Sequence, residues 1–132
     1  MNRKLAREMA MKLIFQMDMQ NDFSHTIITK YLKDLPDDEH QIIYIQNIAN
    51  AFTDNHIFID QKIEENVKEW KLNRIAKVDL AILRLAITEI FYFEDIPNSV
   101  SINEAVEMAK TYGTEESSKF INGILGTIME KK

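Results

Sequence analysis

The sequence predicts an all-helical protein. Three observations carry this. The 132 residues include only three glycines and two prolines, too few for the many turns of an all-β chain. Apolar residues recur at helical spacing along nearly the whole chain. One segment, Val78 to Phe93, is apolar on almost every side of a helix, so it belongs in the middle with other helices around it. The prediction is a compact bundle of about seven helices around that central helix (about 78–93), with residues 1–132 forming a single domain.

The first helix is expected from about Arg3 to Met19, ending in the polar stretch Gln20-Asn21-Asp22. Ser24 can cap a second helix, about 24–34, which stops before Pro36. Asp37, Asp38 and Glu39 suit the N-terminus of a third, running to about Phe52. Asp54 or Asn55 can cap a fourth, to about Lys68. After Trp70 a short connection leads to the central helix. Ser101 with Glu104 three residues later forms a capping-box pattern, and the helix it opens runs to Tyr112, with Gly113 just beyond its end. Thr114 can cap the last helix, about 115–130. No internal repeat or low-complexity linker interrupts the chain.

The composition excludes several kinds of chemistry. There is no cysteine, hence no disulfide, thiolate zinc site or cysteine nucleophile. His25, His40 and His56 fall at no metal-ligand spacing. No P-loop, GxGxxG, GxSxG or HExxH motif is present, so no catalytic residue, cofactor or metal is expected. Charges interrupt the apolar residues of MNRKLAREMAMKLIF, so no signal peptide is expected. Val78 to Phe93 is too short and too charged to span a bilayer. A cytoplasmic location fits these features.

The net charge of −5 is unevenly spread. Residues 1–12 hold Arg3, Lys4, Arg7 and Lys12 against Glu8, a net +3. Residues 71–84 hold Lys71, Arg74, Lys77 and Arg84 against Asp79, again +3. Residues 34–69 hold nine acids and two lysines, a net −7. Two basic segments on an acidic protein suit a polyanion on one side, or simply uneven solvated faces. Arg84, inside the central helix, reads as a buried arginine satisfied by a carboxylate such as Glu89 or Glu104, or by a helix end.

Two helix faces are not accounted for by the core. In the first helix, Leu5, Ala6, Met9, Ala10, Leu13 and Met17 form an apolar face. Met11 and Phe15 fall opposite, among Lys4, Arg7 and Lys12. An aromatic among cations suits RNA or a protein partner, or Phe15 packs beneath a neighbouring helix. In the last helix the core stripe is Ser117, Ile121, Ile124, Leu125 and Ile128. Beside it runs a second strip: Glu116, Phe120, Gly123 and Thr127. Glycine in a helix interior costs roughly 1 kcal/mol relative to alanine. Gly123 therefore serves either close packing of another helix or the approach of a ligand beside Phe120.

Several segments resemble the NusB family of bacterial transcription antitermination factors. They are Arg7, Ala10 and Phe15 in the first helix, VDLAILRLAITEI (Val78–Ile90), and above all SINEAVEMAKTYGTEESSKFINGIL (Ser101–Leu125). The resemblance implies two small helical subdomains packed together and no cofactor. It implies binding to the boxA element of nascent ribosomal RNA, together with the small-subunit ribosomal protein that doubles as NusE. It also implies loading of a Nus complex on RNA polymerase. By matching position, RNA binding falls to Arg3, Lys4, Arg7, Glu116, Lys119 and Phe120, and partner binding to Phe15 and Asp79. The arginine-rich element is thin here, which predicts weak RNA binding alone and tighter binding with the partner. The alternative is a helical protein-interaction module without direct RNA contact.

Overall fold

The computed structural model describes residues 1–36, 38–67 and 71–132. The described residues form six α-helices: α1 (Arg3–Gln20), α2 (His25–Lys33), α3 (Glu39–Asn66), α4 (Lys77–Tyr92), α5 (Asn98–Tyr112) and α6 (Ser117–Lys131). A single 3-10 turn, Leu72–Arg74, leads into α4. The expected roles of Asp37, Lys68 and Trp70 at element boundaries lie outside the described residues.

Each end of α1 has a local cause. The Asn2 side chain accepts a hydrogen bond from the Leu5 amide at 2.8 Å, satisfying a donor that the helix cannot. At the other end Asn21 adopts φ 49°, ψ 45°, a left-handed conformation that asparagine tolerates. Its amide and that of Asp22 then return to the carbonyls of Asp18 and Met17.

The third and fourth predicted helices are one kinked helix, α3. The kink is at Asn55, with φ −127° and ψ 16°, where the sequence suggested a break. Asp54 does not cap a new helix; its carboxylate meets His25 Nε2 at 2.8 Å. Phe52, Ile59 and Ile63, on either side of the kink, are fully buried, so both halves are held to the same core.

α4 is the central helix, as its composition requires. It packs against α1, α3, α5 and α6, and every residue from Asp79 to Ile90 is buried. Two polar clusters fasten it. Glu89 takes the Nε of Arg7 at 2.9 Å, the hydroxyl of Ser101 at 2.7 Å and the hydroxyl of Tyr44, which joins α1, α3 and α5 to α4. Arg84 binds both oxygens of Asp60 at 2.9 Å and lies 3.5 Å from Asp18, which joins α3 and α1. A buried charge is tolerated only when it is paired in this way.

Three expectations change here. Arg84 is paired with Asp60 and Asp18 rather than with Glu89 or Glu104. Ser101 does not open a helix: α5 begins at Asn98, and Ser101 is turned inward to Glu89. Met11, placed by helical spacing on the outer basic face, is 1% exposed, while Leu5 of the expected apolar face is 41% exposed. α1 is covered by both α3 and α4, so its buried arc is wider than one stripe and rotated from the expected one.

Candidate nucleic-acid and partner interface

A groove of about 660 Å³ opens between the start of α4 and the start of α6. One wall is Arg74, Ile75, Ala76 and Asp79; the other is Thr114, Glu116, Ser117, Lys119 and Phe120. A second depression of about 410 Å³ continues it through Ala76, Asp79, Thr114 and Ser117, and adds Phe15, Lys77 and Tyr112. The groove exists because two helices start side by side. The N-cap residues of α4 and α6, Ala76 and Glu116, make no side-chain capping bond. Two positive helix ends therefore line the same hollow.

Asp79 sits in the first turn of α4, where the helix dipole favours an acid. It is 8% exposed, and its Oδ1 has no hydrogen-bond partner among the described residues. A buried carboxylate oxygen left unbonded is costly, so a donor arriving in the groove would gain a strong bond there. Lys77, two residues earlier, is tied to Asp18 of α1 at 3.3 Å, which fixes the Phe15 wall against the Asp79 wall.

Gly113 shapes the floor. A Cβ there would come within 2.6 Å of Ser117 Cβ and 2.9 Å of the Ala109 carbonyl. The close turn lets Ser117 Oγ accept the Thr114 amide at 2.9 Å, which sets the path into α6. α6 starts at Ser117 rather than being capped by Thr114. Gly123 and Gly126 are different: a Cβ at either meets no heavy atom within 4 Å. Among the described residues, neither glycine makes room for a neighbouring helix.

The structure gathers five of the eight sequence-derived site residues along this surface: Phe15, Asp79, Glu116, Lys119 and Phe120. The other three lie elsewhere. Arg3 and Lys4 are exposed near the opposite end of α1, roughly 18 Å from Phe15 along the helix. The Arg3 guanidinium lies 4.2 Å over the Tyr44 ring and its Nε donates to Gln41 at 2.9 Å. Arg7 is 6% exposed and committed to Glu89, so it is not on the outer face. Sequence reasoning left out Arg74 and Tyr112, which both line the surface. Arg74 belonged to the second basic segment, the one signal that pointed to it.

The model of the NusB family matches residues 4–130. The chain belongs to the NusB family. The transcription antitermination protein NusB of Alkaliphilus oremlandii is 51% identical over 132 residues, covering 100% of this chain and 96% of that protein. That of Acetivibrio thermocellus is 48% identical over 132 residues, covering 100% and 91%. Among solved structures, T. maritima NusB superposes with a TM-score of 0.91 at 34% identity, covering 99% of this chain and 92% of that one. A chain from a crystal structure of antitermination factors NusB and NusE in complex with double-stranded RNA shares the fold, with a TM-score of 0.85 at 21% identity over 98% and 97% of the two chains.

This NusB-family chain carries no helix, among the described residues, long and apolar enough to cross a membrane. Its groove is of mixed charge. Each wall carries one cation and one acid, Arg74 with Asp79 and Lys119 with Glu116, together with apolar Ile75, Ala76 and Phe120. Such a surface can meet a basic protein segment through the acids and a phosphate strand through the cations at once.

Proposed function

We propose that this chain is a non-enzymatic, cytoplasmic transcription antitermination factor. It binds single-stranded boxA RNA jointly with a NusE-type ribosomal protein and, through other Nus factors, acts on RNA polymerase. The carrying observation is the mixed groove, which Asp79, with an oxygen unpaired among the described residues, lines together with Lys119 and Phe120. Two supports stand beside it: the relatives named as transcription antitermination proteins, and the fold neighbour found with NusE and double-stranded RNA. In this reading Asp79 and Phe15 take the protein partner. Lys119, Arg74, Lys4 and Arg3 meet phosphates, Glu116 shapes the RNA side, and Phe120 lies against a base. Arg7 contributes by holding α1 in place through Glu89.

Two exposed or groove-side substitutions test the division of labour. Asp79→Asn is expected to weaken the NusE-type partner first, and Lys119→Glu to weaken RNA first. Both effects would be read by titration of the folded chain with each ligand separately. If both substitutions weaken only the partner and leave boxA affinity unchanged, the chain is a protein-interaction module instead.

A further inference from the structure

We propose that Lys12 and Tyr112 form an additional nucleotide subsite for single-stranded RNA, with the base on the Tyr112 ring and the phosphate on Lys12. This rests on the RNA-binding reading above and extends the path of the strand. Lys12 is exposed on α1, and its ammonium lies 5.2 Å from the centre of the Tyr112 ring at the end of α5. It forms no ion pair with any described residue. A cation resting on an aromatic face is the pair of groups that tracks a single strand, one for the backbone and one for the base.

The placement continues the groove. Tyr112 lines the depression shared with Phe15 and Asp79. On α1, Lys4, Glu8, Lys12 and Phe15 fall within roughly 80° of one another, so they form one stripe leading to it. The one acid in that stripe, Glu8, accepts a hydrogen bond from the Tyr112 hydroxyl. That bond occupies the carboxylate and fixes the ring. The Glu8 bond, with burial and Glu8's charge adding to it, raises the Tyr112 pKa, so the hydroxyl stays a donor. The chemistry of a protein partner is served by Asp79 and Phe15 next door. The free lysine on a fixed ring suits a phosphate and a base.

The test uses the full chain with its NusE-type partner and a fluorescent single-stranded boxA RNA, titrated at several salt concentrations. Lys12→Gln is expected to weaken RNA binding several-fold and to make the salt dependence shallower by about 0.7 in log–log slope, the share of one phosphate on a single strand. Tyr112→Leu is expected to lose on the order of tenfold with the slope unchanged. Tyr112→Phe keeps the ring but frees the Glu8 carboxylate, and should fall between the parent and Tyr112→Leu. Ultraviolet crosslinking should place RNA on Tyr112. An unchanged affinity and slope for Lys12→Gln overturns the subsite, as does a Tyr112→Leu variant that binds RNA as tightly as the parent. A Lys12→Gln variant that loses only the protein partner also overturns it. Failure of the parent complex itself to prefer boxA over a scrambled RNA is a separate result, and refutes the antitermination reading.

Discussion

Replacing Gly123 with alanine should stabilise the protein. Gly123 lies inside α6, its φ is not positive, and a Cβ there meets no heavy atom within 4 Å. Nothing offsets the gain in helix propensity, which is about 0.8–1.0 kcal/mol for glycine to alanine. Unfolding entropy scales with chain length, so this corresponds to a rise in Tm of about 3 °C. Gly126→Ala is expected to act alike, because its Cβ also points into open space. The assay is thermal and urea unfolding of each variant and of the pair, where the gains should nearly add. A loss of stability in Gly123→Ala would refute the reasoning, since it would mean the isolated chain needs the missing side chain. The functional counterpart is Gly123→Gln. It fills the low strip beside Phe120 and should weaken whatever docks there while leaving the fold intact.

Other substitutions should behave oppositely. Gly113→Ala should destabilise by about 1–3 kcal/mol, because its Cβ would press on Ser117 and the Ala109 carbonyl; chemical denaturation measures this. Glu89→Gln removes the charge opposite Arg7 inside the core and should cost about 3–5 kcal/mol, read in the same way. His25 is held by the side chains of Asn50 and Asp54, which raise its pKa above 6.5. The stability it supplies is therefore full below pH 6.5 and lost as pH rises through the folded-state value. A pH series of melting temperatures should show that decline in the parent and not in His25→Gln.

Much of the fold was legible because α4 is apolar on all sides, and a helix of that kind has one place in a bundle. Asn55 was legible as a point of weakness, but not as a kink. Whether a chain breaks there depends on Phe52, Ile59 and Ile63 sharing one core, which local sequence does not state. Arg7 and Met11 were misplaced for a related reason. A helical wheel gives angles, whereas the width of the buried arc depends on how many neighbours cover the helix, and α1 has α3 and α4. Glu89 then draws Arg7 inward from what would otherwise be the basic face. Charge reversal at Arg7 would therefore disturb the core rather than report on RNA; Lys4 and Lys119 are the exposed positions for that purpose. Around the groove, Glu116, Lys119 and Phe120 lie on one short segment at the start of α6, so the resemblance of that segment carried them together. Tyr112 was missed because its place depends on the distant α1 residues Glu8 and Lys12, which meet it only in the folded chain.

The most direct measurement is binding of the folded chain to a boxA leader RNA and to a scrambled version, each with and without the NusE-type partner, at low and high salt. The account predicts weak binding alone, a clear preference for boxA once the partner is added, and a decline with salt as phosphate contacts are screened. Equal affinity for both RNAs in every condition, with a stable partner complex still formed, would contradict it.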